Sequence, residues 1–147
     1  MHKGSCQCGQ LNYQLIKPPL TCYTCHCHGC QTSTGSAFTM SMIIKDDAIQ
    51  FDGGNLSNVD YVQNGNNVRR HFCPQCATTI YFSAPEFPEF IALKPGTFDN
   101  NDWYQPIAHL WLSSAQPWVK LEDDLPQYDE QPEMHVLFDL WDNRLKR

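Results

Sequence analysis

The sequence predicts a mainly β protein with little helix, and three observations lead to that prediction. Short runs rich in β-branched and aromatic residues recur along its 147 residues. Turn-forming residues separate these runs at short, regular intervals, as in β sandwiches and open barrels. Closely spaced cysteines interrupt the runs, which is typical of small folds held by metal. Because 41% of the residues are hydrophobic and the length suits one core, we predict a single domain over residues 1–147.

The individual elements follow from local patterns. Residues 10–16 alternate in polarity and stop at the Pro18-Pro19 pair, and residues 64–67 (NGNN) are a strong hairpin signal. We expect helix only near His28 and over residues 133–145, with residues 123–132 as an acidic surface connection. The predicted strands are residues 10–16, 37–44, 48–51, 61–63, 68–72, 78–82, 89–93 and 107–112.

The charge balance argues against a nucleic-acid partner. Ten basic and 16 acidic residues give a net charge of −6. Affinity for a phosphate backbone depends on Lys and Arg, and the one dense basic cluster is the short terminal run 144–147. We therefore expect no nucleic-acid partner.

The sequence also predicts a cytoplasmic protein with no membrane association. The N-terminal residues lack the apolar core of a signal peptide, and no apolar stretch approaches the length of a membrane span. Thiols stay reduced in the cytosol. The eight cysteines, in CxC and CxxC spacings, therefore favour metal binding over disulfides.

Two cysteine pairs far apart in the sequence predict a closed metal site. Tetrahedral zinc takes four sulfurs, and two turns that each supply two cysteines provide them. Buried free thiols and a rubredoxin-like iron centre are the alternatives for this first cysteine group. Its members are Cys6, Cys8, Cys73 and Cys76.

A second cysteine group, formed by Cys25, Cys27 and Cys30, follows a CxCxxC pattern. Zinc held by three thiolates keeps one coordination position open, which distinguishes catalytic from structural zinc. Cys22 leaves alternatives open, because it could be the fourth ligand of a closed structural site or a small buried strand residue.

Four histidines require an interpretation. His26 and His28 alternate with the cysteines and could be ligands. Side chains that flank ligands in a tight turn usually point away from the metal, so we expect these two to lie outside the coordination sphere. His71 is predicted as a strand residue. His109 interrupts an apolar run, where a satisfied core histidine is the plainer interpretation and a catalytic one the alternative.

Three ordered blocks resemble the signature blocks of the glutathione-dependent formaldehyde-activating enzyme family. They are residues 4–9 (GSCQCG), 25–30 (CHCHGC) and 70–76 (RHFCPQC). Residues 31–38, 93–99 and 106–118 resemble the segments that follow in that family, so the resemblance runs from about residue 4 to 130.

The resemblance implies an Mss4-like fold of packed antiparallel sheets with zinc-bound cysteine turns. It implies a structural zinc on the first cysteine group and a catalytic zinc on the second. The implied activity is the condensation of formaldehyde with glutathione to S-(hydroxymethyl)glutathione, classed with the carbon–sulfur lyases. Glutathione, or a related thiol, and a small aldehyde would be the partners, with His109 as the candidate for moving the proton.

Two residues depart from the family pattern. Ala77 stands where the family usually has Gly, and Cys22 is no part of the signature. A closed second site would favour a different class of function, a non-catalytic zinc domain that binds another protein. A member that holds only the structural zinc is a third option. The aromatic candidates for a protein-binding patch are Phe82, Phe87, Phe90 and Trp103.

Overall fold

The computed structural model describes residues 1–121 and 124–144. In these ranges the chain forms ten strands and two α-helices, α1 (His28–Thr34) and α2 (Met134–Arg144), with short 3-10 turns at Asp46–Ala48, Pro95–Thr97 and Leu112–Ser114. None of the described helices is both long and apolar enough to cross a membrane. The strands are β1 (His2–Ser5), β2 (Asn12–Leu15), β3 (Thr21–Cys25), β4 (Thr39–Lys45), β5 (Ile49–Gly53), β6 (Ser57–Gln63), β7 (Asn66–Phe72), β8 (Thr79–Ser83), β9 (Phe90–Leu93) and β10 (His109–Leu110).

The chain forms two compact units, each built from two separate segments. The first comprises Met1–Pro19 and Met42–Trp103, and the second comprises Leu20–Ser41 and the described part of Tyr104–Arg147. Strand β4 runs across the boundary between them. Compactness alone does not show that a unit folds independently, so the single-domain organisation stays a prediction.

The first unit confirms the mainly β class. One antiparallel sheet has the order β1-β2-β5. In the other, β4 from Met42 onward pairs with β9, followed by β8, β7 and β6, all antiparallel. The rings of Phe51 on β5 and Tyr81 on β8 lie 6.4 Å apart, so the two sheets are in contact at these side chains. The predicted packed antiparallel sheets are present.

The predicted hairpin has a shorter loop than residues 64–67, which the sequence predicted as its turn. Gln63 pairs directly with Asn66, which leaves a loop of Asn64 and Gly65 with φ of 50° and 78°. Two successive left-handed residues define a type I′ turn, whose twist matches that of the flanking strands. Asn66 and Asn67, expected in the turn, therefore lie in β7.

The second unit holds a parallel pair that the sequence did not predict. His109 and Leu110 of β10 pair in parallel with Thr24 and Cys25 of β3. Every residue of β3 is buried, so the strand lacks the alternation that marks a half-exposed strand. The run 107–112 was predicted as one strand, but the strand covers only His109–Leu110 and ends at Trp111, which adopts a left-handed conformation with φ of 60°.

The two helices were expected near their observed positions. Helix α1 begins after Cys27, whose side chain accepts a hydrogen bond from the amide of Cys30, and it ends at Gly35 with φ of 66°. Helix α2 covers Met134–Arg144 and buries Leu137 and Trp141. The predicted last residue of this helix, Leu145, and the first residue of the predicted connection, Asp123, lie outside the described residues.

The two turns of the first cysteine group share one backbone design. The Cys6 amide donates to the Leu11 carbonyl and the Cys73 amide to the Thr78 carbonyl, each over 3.0 Å. Each turn also contains a left-handed residue, Gly9 with φ of 79° and Ala77 with φ of 60°. The departure at Ala77 therefore falls on a position that glycine adopts without strain.

We predict that Ala77→Gly stabilises the protein. Left-handed backbone costs a non-glycine residue about 1–2 kcal/mol, which the greater entropy of unfolded glycine offsets by about 0.4–1 kcal/mol. The free energy of unfolding in urea, measured at fixed zinc, should rise by about 0.5–1 kcal/mol. The control is Gly9→Ala, where an added Cβ meets nothing within 4 Å; it should lower stability by about 1 kcal/mol. A loss of stability in Ala77→Gly contradicts the turn geometry.

We also predict that Gly4→Ala destabilises the first unit. A Cβ at Gly4 would lie 2.4 Å from the ring of the fully buried Tyr13 and 2.7 Å from the Thr97 carbonyl oxygen. Overpacking of this kind costs about 1–3 kcal/mol. Gly96→Ala is the matched control, since its Cβ has open space. Equal unfolding midpoints for the two variants would refute the close approach of β1 to Tyr13.

Candidate metal and thiol centre

The first cysteine group has the geometry of a four-sulfur metal site. All four Sγ atoms lie within 4.8 Å of one another. The sulfurs of Cys6 and Cys8 are 3.5 Å apart, and those of Cys8 and Cys73 are 3.8 Å apart. With zinc–sulfur bonds of about 2.3 Å, neighbouring sulfurs of a tetrahedron are separated by about 3.8 Å. The four sulfurs therefore fit a zinc ion.

Hydrogen bonds already favour the thiolate form at two of these sulfurs. The Leu11 amide donates to the Cys6 sulfur over 3.2 Å. The hydroxyl of Thr78 lies 3.1 Å from the Cys76 sulfur and, together with the Thr78 amide, lowers the pKa of Cys76 to about 5. A backbone hydrogen bond lowers the pKa of Cys8, but desolvation and hydrogen bonds to the neighbouring thiols outweigh it and raise that pKa to about 12. A cation would stabilise all four as thiolates.

The second cysteine group lies where a strand ends and a helix begins. Cys25 is the last residue of β3, Cys27 is the N-cap of α1, and Cys30 lies in the first turn of that helix. Their three Sγ atoms lie within 4.8 Å of one another and all three residues are buried. The Cys30 amide donates to the Cys27 sulfur over 3.4 Å. The short CxCxxC segment thus forms a three-sulfur group by itself.

Crowding strongly disfavours ionisation of this second group without a cation. Contacts with the thiols of Cys27 and Cys30, followed by burial, raise the pKa of Cys25 far above its usual range. A divalent cation reverses this preference, because a coordinated thiol is deprotonated. Three thiolates of this kind suit zinc.

Cys22 lies outside the second cysteine group. It is fully buried on β3, and its sulfur is not among the three that lie within 4.8 Å of one another. Successive side chains of a strand point to opposite sides, so Cys22 and Cys25 face different ways. Burial, with a contribution from Cys22, raises the pKa of Tyr104 to about 12.

The structure places His109 in a buried polar cluster with Thr24 and His26. The Thr24 hydroxyl lies 2.6 Å from His109 Nδ1 and 3.3 Å from His26 Nε2. Strand alternation directs Thr24 to one side of β3 and Cys25 to the other. Burial, aided by His109, lowers the pKa of His26. Neither histidine belongs to a cysteine group, and the catalytic role of His109 stays a prediction.

The remaining histidines follow their expectations. His28 opens α1 and is exposed. His71 is a residue of β7, where its ring stacks on Tyr81 at 4.1 Å and its Nε2 lies 2.9 Å from the Ser83 hydroxyl. Among the described residues, neither His28 nor His71 belongs to a cysteine group, as expected.

The aromatic residues considered for a protein-binding patch differ in exposure. Phe87 is 58% exposed, whereas Phe82, Phe90 and Trp103 are partly buried. The ring of Phe82 also lies under the Lys94 ammonium at 4.5 Å. The four side chains therefore do not form a uniformly exposed patch, since only Phe87 is largely exposed.

Sequence reasoning missed the residues that hold the segment between Cys25 and Cys27. The side-chain amide of Gln31 donates to the backbone carbonyl oxygens of His26 and Ser114, over 2.8 and 2.9 Å. The Ser114 hydroxyl donates to the same His26 carbonyl. Thr24 was missed as well. Isolated polar residues of this kind carry no spacing signal, because their role depends on contacts between distant segments.

Two known proteins are similar to this chain. A Halomonas elongata protein, provisionally named a glutathione-dependent formaldehyde-activating enzyme, is 25% identical over 126 residues, covering 82% of this chain and 80% of the relative. A crystal structure of a Rhodobacter sphaeroides protein matches with a TM-score of 0.53 at 16% identity, covering 68% of this chain and 90% of that chain. This second likeness concerns the fold alone.

The sequence profile of one family matches residues 1–114, described as glutathione-dependent formaldehyde-activating enzyme. The matched range contains both cysteine groups and His109. The chain therefore belongs to the glutathione-dependent formaldehyde-activating enzyme family.

Proposed function

We propose that this protein is a zinc-dependent enzyme, related to the carbon–sulfur lyases, that acts on adducts of glutathione or a related thiol with small aldehydes such as formaldehyde. The observation that carries the proposal is the buried three-sulfur group of Cys25, Cys27 and Cys30, from which Cys22 is separate. Membership of the family supports the same substrates. We further propose a cytoplasmic location, where glutathione is abundant and thiols stay reduced.

The two cysteine groups would hold zinc in different roles. The first group offers four sulfurs and would hold a structural ion. The second offers three and would hold the ion that, when bound, keeps a substrate thiol deprotonated at neutral pH. The resulting chemistry joins the glutathione sulfur to the aldehyde carbon and leaves the thiol proton on the former carbonyl oxygen. The reverse reaction breaks the same carbon–sulfur bond.

The chain's own residues would order the site and handle the proton. Cys27 serves twice, since it caps α1 and contributes a sulfur, and the amide of Cys30 hydrogen-bonds that sulfur. Gln31 and Ser114 hold the backbone between Cys25 and Cys27 through hydrogen bonds to the His26 carbonyl. His109, which is buried and hydrogen-bonded to Thr24, is the proposed proton carrier.

We predict that Cys27→Ser abolishes glutathione binding while the fold persists. Serine is a good N-cap, so α1 keeps its start, but the hydroxyl is a poor replacement for a thiolate ligand. Titration of glutathione into the zinc-loaded protein by calorimetry should show saturable binding, weakened about 100-fold or more in the variant. Cys22→Ala, which changes a thiol outside the group, should bind as the wild type does. Two bound zinc ions without glutathione affinity in the wild type would instead favour a closed-site domain that binds protein partners.

We predict that Cys73→Ser removes one zinc ion and most of the stability. Cys73 is fully buried in the four-sulfur group, and structural zinc contributes about 10–16 kcal/mol in small motifs, against a net domain stability of about 5–15 kcal/mol. Metal analysis should give two zinc ions per wild-type chain and one or none per variant chain, with a large fall in the melting temperature. An unchanged zinc content or melting temperature in Cys73→Ser would show that the first group is not a structural zinc site.

A further inference from the structure

The hydroxyl of Thr24 lies between two buried imidazoles. Its Oγ1 is 2.6 Å from His109 Nδ1 and 3.3 Å from His26 Nε2, and the two rings meet edge to face with centroids 6.2 Å apart. Thr24 and His109 are each 5% exposed and His26 is fully buried. The three side chains therefore meet away from bulk water, where hydrogen-bond direction has a large energetic effect.

The backbone holds these three residues in place. Thr24 and His109 are direct partners in the parallel pair of β3 and β10, and the amide of His26 donates to the Leu110 carbonyl over 2.9 Å. The His26 carbonyl also accepts from Gln31 and Ser114. The contacts of the Thr24 hydroxyl thus result from the strand register.

A threonine hydroxyl has one proton, so it can donate to only one of two neighbouring nitrogens and must accept from the other. Two arrangements satisfy this condition. Either Thr24 donates to His109 and accepts from His26, or the direction is reversed. The choice sets which nitrogen carries the proton in both rings.

The second nitrogen of His26 decides between the two arrangements. Its Nδ1 is buried and has no hydrogen-bond partner among the described residues. An unpaired buried N–H is rarer and more costly than an unpaired acceptor. The His26 proton therefore belongs on Nε2, where Thr24 accepts it, and the Thr24 hydroxyl donates to His109 Nδ1.

We propose that Thr24 is a positioning residue that holds His26 and His109 as Nε2–H tautomers. In this arrangement His26 Nε2–H donates a hydrogen bond to Thr24 Oγ1, and the Thr24 hydroxyl donates one to His109 Nδ1. His109 then presents Nε2 as its protonated nitrogen. The consequence for catalysis rests on the proposed function, whereas the tautomers themselves do not.

Imidazole nitrogen NMR of the zinc-loaded protein tests the proposal. Long-range proton–nitrogen spectra of the ¹⁵N-histidine-labelled chain distinguish the two tautomers, and His26→Gln and His109→Gln assign the signals. Wild type and Thr24→Ser, which keeps the hydroxyl, should both show bare Nδ1 and protonated Nε2 in the two rings. Thr24→Val, which has the same shape without the hydroxyl, should give a tautomer mixture at His109. A wild-type His109 protonated on Nδ1 overturns the proposal even if the valine variant does not fold, and so does an unchanged spectrum in a folded Thr24→Val.

Kinetics separate this claim from the proposed function. For formation of S-(hydroxymethyl)glutathione, Thr24→Val should lower kcat about 10- to 100-fold with little change in KM, and Thr24→Ser should stay within about threefold of wild type. An altered tautomer with unchanged kcat would refute the positioning role in catalysis. A wild type with no turnover refutes the proposed function, and the NMR result still decides the tautomers.

Discussion

Crowded thiols impose an electrostatic constraint on both cysteine groups. Seven cysteine sulfurs lie in two groups, and in each group all sulfurs are within 4.8 Å of one another. Protonated thiols gain little from such proximity, and thiolates without a cation repel one another. Hydrogen bonds from Leu11 and Thr78 already favour negative charge in the first group. The turns of the fold therefore position clustered cysteine sulfurs whose thiolate form becomes favourable once a cation is bound.

Strand β3 connects the metal-binding and polar features of the second unit. Its last residue, Cys25, belongs to the three-sulfur group, while Thr24 contacts two histidines on the other side of the strand. Cys27 then ends the extended segment and caps α1. Because adjacent residues serve different sides, a shift of one residue in the pairing with β10 would separate Thr24 from His109. The register of a short buried pair thus determines the contact between Thr24 and His109.

The sequence predicted the parts of the site whose residues are close together or regularly spaced. The two cysteine groups, α1 and the turn at Asn64 follow from local spacing and turn chemistry. The polar contacts of Thr24 and the parallel partner of β3 do not, because they depend on segments about 85 residues apart in sequence. Strand β3 was missed because both its sides are buried, which removes the alternation that identifies half-exposed strands. Cys22 needed the structure for a similar reason, since only strand geometry separates it from its neighbours.

Cadmium NMR distinguishes an open three-thiolate site in the second cysteine group from a closed one, and reports on the four-thiolate site of the first group in the same spectrum. With ¹¹³Cd in place of zinc, the shift of each resonance reports the number of coordinated sulfurs. We expect two resonances. One should be typical of four thiolates and stay unchanged when glutathione is added, and the other should be typical of three thiolates and move. Two four-thiolate resonances, both indifferent to glutathione, would contradict this expectation.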